Sequence, residues 1–238
     1  MQYADTARHI FEHAKRQKRQ ALDEPSAKRI LGLYGIPAPR SAIVDCDVDA
    51  GAVLKELGGR VVLKLISPEV LHKSDFGGVA LGLEDSDEIR AAMAIMSQRC
   101  REKGCRIEGF LLEEQIQGGH EIVIGGFHDS SFGPVVMLGL GGIFVEILRD
   151  ISFRICPITR TDALEMLDEL RGAALLRGAR GGMRVPDEIV VDALLSVGGE
   201  NGLFFQLSDA IGELDINPLI VSPQGAVALD ARIVLASE

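Results

Sequence analysis

The run Val61–Leu83, VVLKLISPEVLHKSDFGGVALGL, sets how the rest of the chain is read. It opens as a buried-looking strand in which Lys64 interrupts an apolar run. It then passes through Ser67-Pro68 to His72-Lys73-Ser74-Asp75 and reaches the pair Gly77-Gly78 before a second apolar strand. A lysine inside a strand must find an anion or reach water, because an unpaired buried ammonium costs several kcal/mol or gives up its proton. The histidine follows in a loop, beside glycines that let backbone approach a ligand closely. Two readings stand at this point. One is a strand-borne cation and an imidazole near a phosphate; the other is a strand-edge lysine and a solvated loop histidine.

On either side of this run, helices and strands alternate. Asp23-Glu24-Pro25 starts a helix with an N-cap, an early acid and a first-turn proline, and Gly35 with Pro37 ends it. Ser41–Val44 reads as a short strand and Val48–Leu57 as a helix. Asp85 and Glu88 have capping-box spacing, with Ile89, Ala92, Met93 and Met96 as the apolar stripe behind them. From Arg106 the pattern turns to strands: IEGFLLEEQI, EIVIGGF and PVVMLGL, the last two joined by a turn. Gly139-Leu140-Gly141-Gly142 leads into an expected helix, IFVEILRD. Asp162 to Glu165 is read as a second capping box, and the loop Arg177–Arg184 precedes a helix from Pro186-Asp187 through Val197. The chain closes with the strand pair ELDINPLIV and AVALDARIV. Short turns between strands favour an α+β plan with antiparallel or mixed sheets over a doubly wound parallel sheet.

The chain has 238 residues, 47% of them hydrophobic and 25% charged, which is a globular composition with capacity for one large domain or two intimate lobes. A net charge of −10 argues against a general nucleic-acid binder. The basic stretch Arg8–Arg19 is expected in a solvated N-terminal helix, residues 1–21. No apolar run approaches the roughly 20 residues of a membrane helix, and no secretory signal opens the chain. The four cysteines, Cys46, Cys100, Cys105 and Cys156, show no CxxC spacing and are expected as reduced thiols in a cytoplasmic protein.

The last strand pair carries the most chemistry. Alternation puts Glu213, Asp215 and Asn217 on one face and Leu214 and Ile216 on the other. A turn centred on Pro223-Gln224 sets Asn217 opposite Asp230 and Asp215 opposite Arg232. Directly paired side chains have Cβ atoms roughly 4.5–5.5 Å apart, close enough to share one cation. Hard oxygen ligands of this kind suit Mg²⁺ bound partly through phosphate; the alternative is a solvated sheet face with a cross-strand ion pair. Gly139–Glu146 offers free backbone amides to an anion, with Arg154 downstream as a second contact. Glu113-Glu114-Gln115 ends a strand and Glu121 starts the next; an adenine hinge with a ribose acceptor and a pair of surface acids both fit.

Lys64 in a strand, LLEEQIQGGHEIVIG, FGPVVMLGLGGIFVEILRDISFRICPI, LLRGARG and ELDINPLIV…ALDAR together resemble the ATP-grasp family, in the branch of β subunits of ADP-forming acetate–CoA ligases. The resemblance implies two lobes, near residues 40–112 and 113–238, with nucleotide between them. It also implies roles. Lys64 would contact nucleotide phosphates, while Glu114 with the backbone of Gln115 and Ile116 would form the adenine hinge and Glu121 would hold the ribose. Asn217 and Asp230, with Asp215 beside them, would bind Mg²⁺. Gly141, Gly142 and Arg154 would cradle a transferred phosphoryl group, and His72 would carry it transiently. The implied reaction interconverts acyl-CoA, ADP and phosphate with carboxylate, CoA and ATP, and the CoA site implies an α partner. A ligase in which the carboxylate attacks ATP directly, and a non-catalytic nucleotide sensor, are the rival expectations.

Overall fold

The computed structural model describes residues 2–45, 50–70, 73–142 and 149–236. They form two compact units, one of Met1–Ala38 with Gly118–Glu238 and the other of Pro39–Gln117.

The smaller unit is a four-stranded antiparallel sheet in the order β1 (Ser41–Val44), β4 (Gly109–Glu114), β2 (Val61–Ile66), β3 (Val79–Leu83). Helices α3 (Ala50–Leu57) and α5 (Ser86–Lys103) pack with it around Val44, Leu63, Leu65, Phe110 and Leu112. Met93 and Met96 belong to this core, as their helical spacing predicts. Helix α5 starts where the sequence places it: the Asp85 carboxylate accepts the amides of Asp87 and Glu88, and Gly104 closes the helix in a left-handed conformation. A short helix, α4 (Lys73–Phe76), precedes Gly77-Gly78. The sequence reading ended this lobe at residue 112, but β4 runs through Glu114 without leaving the smaller unit.

The larger unit is a six-stranded antiparallel sheet. Its path is β10 (Ala231–Leu235), β8 (Ile211–Ser222), β5 (His120–Asp129), β6 (Gly133–Leu140), β7 (Ile151–Ile155), with β9 (Gly225–Ala228) also on β8. Leu214, Ile216, Ile122, Ile124, Val136 and Leu138 face one side of it and enter a core with helices α2 (Glu24–Leu33), α6 (Arg160–Glu169) and α8 (Asp187–Gly198). Between α6 and α8 lies the single turn α7 (Ala173–Leu176). The N-terminal helix, α1 (Gln2–Arg16), differs from expectation. It is not a solvated extension: Ala7, Phe11 and Ala14 are buried in the main core, and its basic face is partly neutralised by the Arg8–Asp209 pair at 2.7 Å. A second difference lies at α6, whose capping box is Thr159–Asp162, not Asp162–Glu165. Thr159 wins because its amide and hydroxyl both reach the Asp162 carboxylate, at 2.7 and 2.6 Å.

Candidate functional site

In the smaller unit Lys64 stands on β2 and is only 7% exposed. Its Nζ lies 2.8 Å from Glu113 Oε2 on β4. Register explains the pairing: Glu113 is the direct partner of Val62, so Lys64 and Glu113 are diagonal neighbours on one face. The sequence places Glu113 beside Glu114-Gln115 at a strand end, but not as the partner of Lys64. The signal for that pairing was the strand order that makes β4 the neighbour of β2, which a single sequence does not state.

Glu114, one residue on, turns the other way. Its carboxylate accepts the Arg40 amide at 3.0 Å and Arg40 Nε at 2.8 Å. Burial pushes this carboxyl up, but the Arg40 amide and guanidinium together outweigh burial and hold it below the usual range. The Gln115 amide donates to the Arg60 carbonyl at 3.1 Å, so only its carbonyl side remains for a base edge. His72 lies outside the described residues. Gly77 has a definite use: its backbone is left-handed (φ +73), and Arg99 Nη1 donates to its carbonyl at 2.7 Å, where any Cβ would strike the guanidinium at 2.1 Å.

In the larger unit the closing hairpin has the register expected from its turn. Ser222 pairs with Gly225 across Pro223-Gln224, and Asp215 sits directly opposite Arg232. The Asn217 amide donates to the Asp230 carbonyl at 3.3 Å. Asn217 is exposed while Leu214 and Ile216 are buried, so the polar residues share the face away from the helices. Among the described residues no group of three or more His, Cys, Asp or Glu side chains is placed to hold a metal alone. Two carboxylates and one amide oxygen fit a Mg²⁺ that completes its shell with phosphate oxygens and water.

The start of β5 meets the end of β6. The Gly141 amide donates to the Glu121 carbonyl at 2.7 Å. A Cβ on Gly141 would fall 2.5 Å from Glu121 Cβ, so this approach requires glycine. Gly142 follows in a left-handed conformation (φ +61). Glu121, Gly141 and Gly142 are therefore one cluster; of the helix expected after them, residues 143–150, residues 143–148 lie outside those described and Arg149 and Asp150 are not helical.

Arg154 is not part of that cluster. It is the β7 partner of Val136, five residues before Gly141 on β6, or roughly 16 Å along a strand. Its side chain shares the helix-covered face with Val136 and is held by Glu169 at 2.5 Å and Glu165 at 3.4 Å, both on α6. Its hydrogen bond to Glu169 pulls that carboxyl down to about 2, with help from Ser152. A linear sequence cannot show this, because one residue of strand offset moves a side chain to the opposite face.

The ATP-grasp domain family matches residues 13–235. The chain belongs to the ATP-grasp family. It is 42% identical to "Acetate--CoA ligase [ADP-forming] I subunit beta" of Pyrococcus furiosus, over 96% of this chain and 97% of that one. It is also similar to the Ca. Korarchaeum cryptofilum dinucleotide forming acetyl-coenzyme A synthetase 1, solved with coenzyme A and Ca-AMPCP. There the TM-score is 0.90 at 38% identity, covering 97% of this chain and 100% of that one. A second structure of the Korarchaeum enzyme, with coenzyme A and Mg-AMPPCP, has its phosphohistidine segment pointing towards the nucleotide binding site; its TM-score is 0.82 at 37% identity. The relatives put this ATP-grasp chain in the branch of ADP-forming acid–thiol ligases, and the α+β fold read from the sequence is the fold of that branch.

Proposed function

We infer that the chain is the nucleotide-binding β subunit of an ADP-forming acyl-CoA synthetase, interconverting acyl-CoA, ADP and phosphate with carboxylate, CoA and ATP. One observation carries this reading: the likeness to a Pyrococcus β subunit runs end to end, covering 96% of this chain and 97% of that subunit. A CoA-binding α subunit is the partner it calls for. No helix among the described residues is long and apolar enough to cross a membrane, and Cys100, Cys105 and Cys156 are free thiols, which supports a cytoplasmic setting.

In this reading Lys64, aimed by Glu113, neutralises nucleotide phosphate. The Glu114 and Gln115 carbonyls and the Ile116 amide read the adenine edge, and Glu121 accepts ribose hydroxyls. Asn217 and Asp230, with Asp215 behind them, hold Mg²⁺; when bound, that ion neutralises phosphate oxygens. His72 attacks phosphorus with a neutral ring nitrogen: a P–N bond forms as the bond to the acyl phosphate oxygen breaks, and the carboxylate leaves. ADP then takes the phosphoryl group through its terminal oxygen, a P–O bond forms, and the imidazole is released. Keeping the group covalent matters because water would otherwise hydrolyse it.

Exposure of the chain to [γ-³²P]ATP tests the relay. Acid-labile, base-stable label on the wild type and none on His72→Ala is expected. Equal labelling of the two chains, or a wild type that takes no label, would favour direct attack of a carboxylate on ATP.

A further inference from the structure

Arg154 is held on the helix-covered face by Glu165 and Glu169, so its guanidinium is not free for the end of the sheet where Gly141-Gly142 lie. A closed ring of contacts surrounds that end of the sheet. The Leu140 amide donates to the Asp150 carbonyl at 3.3 Å. The Asp150 carboxylate, 4% exposed, accepts the amides of Arg171 and Gly172 at 2.8 and 2.9 Å. Gly172 sits so close to Leu140 that a Cβ on it would meet Leu140 Cδ1 at 2.2 Å. The turn α7 leads on to Arg177, which bridges to Arg184. Next to Arg184, the Met183 carbonyl accepts from His120 Nε2 at 2.8 Å. His120 adjoins Glu121, whose carbonyl takes the Gly141 amide and closes the ring.

Besides Arg177, four exposed arginines ride on this ring or its loop: Arg149, Arg171, Arg180 and Arg184. Among the described residues, none of their guanidinium groups has an ion pair or a hydrogen bond. Arg177 contrasts with them, being held by both Asp168 and Asp187. Among the described residues, Arg149 (φ 49) and Arg180 (φ 58) also account for two of the three non-glycine residues with left-handed backbone, the other being Lys18. Such a conformation is unfavourable for a non-glycine residue and persists where the surrounding structure imposes it. On a chain of net charge −10, four guanidinium groups without counter-ions at one end of one sheet form a local field of opposite sign. The planar fork of arginine matches the oxygens of a phosphoryl group, two at a time.

We propose that Arg149, Arg171, Arg180 and Arg184 bind the phosphoryl dianion that this reaction passes on, whether as inorganic phosphate or carried on an imidazole. The proposal rests on the ligase reading above. Its test is Arg180→Gln/Arg184→Gln, checked for folding by its melting curve, with Arg171→Gln as the second variant should the double variant not fold. Loss of charge-assisted hydrogen bonds to phosphate predicts a change of about tenfold or more. In the complex with the CoA-binding subunit, a rise of that size in KM for phosphate at unchanged KM for ADP supports the site and identifies free phosphate. An unchanged KM with a correspondingly slower single-turnover transfer from labelled chain to ADP supports it and identifies the imidazole-borne group. Neither change, or a rise in KM for ADP alone, overturns it. If the wild-type complex makes no ATP, the ligase reading fails instead. The site is then judged on the chain alone, by the rise in melting temperature in inorganic phosphate over chloride at equal ionic strength. A rise in the wild type that the variant lacks supports the site; no rise in the wild type, or the same rise in both, overturns it.

Discussion

An ammonium that is 7% exposed is tolerated in β2 because a carboxylate that is 2% exposed lies 2.8 Å away. Breaking such a pair from one side leaves a buried charge without its partner, which typically costs about 3–5 kcal/mol, whereas replacing both partners by apolar groups is close to neutral. Glu113→Gln should therefore lower the melting temperature markedly, and Lys64→Met/Glu113→Leu should restore most of it. The double variant should still fail to bind ADP by calorimetry; recovery of ADP affinity together with stability would show that Lys64 is purely structural. Gly141→Ala is a second test at this scale. With Glu121 Cβ 2.5 Å from the new methyl, backbone must shift, and overpacking of this kind costs about 1–3 kcal/mol. A melting curve unchanged from the wild type would mean that the β5–β6 junction is looser than its geometry indicates. Lys64 was legible as an anomaly in the sequence, since a cation in an apolar strand demands an explanation. Glu113 was not, because its meaning depends on which strand lies beside it.

Among the elements, the closing hairpin was the most legible and Arg154 the least. A two-residue turn with proline fixes register by counting, so the pairing of Asp215 with Arg232 follows from the sequence alone. Strand β7 has no such turn to count from, and its offset against β6 decides that Arg154 meets α6 on the helix-covered face. The same arrangement carries a pH signature. The Glu169 carboxyl is held at about 2 by Arg154 and Ser152, below its value in the unfolded chain. A depressed carboxyl contributes stability above the unfolded value of about 4.3, and that contribution is lost as pH falls through the folded value. Glu169→Gln should thus flatten the dependence of melting temperature on pH between about 4.3 and 2, weakly and less so in salt because the pair is half-exposed. An unchanged slope would indicate that Arg154 finds another anion. The misplaced capping box has a local cause: Thr159 and Asp162 satisfy each other's amides, which the acid-rich run from Asp162 onward obscured. Thr159→Ala should cost about 1 kcal/mol, read as a drop in denaturation midpoint at unchanged slope; no drop would mean that the hydroxyl does not support the helix.

For the whole molecule, the α+β plan followed from short turns between strands, and the ATP-grasp assignment from motifs spread along nearly all of the chain. The N-terminal helix was misread because its charges are dense, while its buried stripe is the sparse set Ala7, Phe11 and Ala14. Small residues carry little hydrophobic signal, yet they allow close packing on α2. Asn217, Asp230 and Asp215 on the closing hairpin of the larger unit predict that Asn217→Ala or Asp230→Ala abolishes the Mg²⁺-dependent part of ADP binding while sparing the fold. Calorimetry with and without Mg²⁺ checks this, and undiminished Mg²⁺-dependent binding would move the metal site elsewhere. As a β subunit of an ADP-forming acyl-CoA synthetase, this chain would interconvert acyl-CoA, ADP and phosphate with carboxylate, CoA and ATP. Incubating it with a CoA-binding subunit, acetyl-CoA or another short acyl-CoA, ADP, phosphate and Mg²⁺ tests that directly. Formation of ATP with stoichiometric release of CoA is the predicted result, and no ATP from any short acyl-CoA would contradict the account.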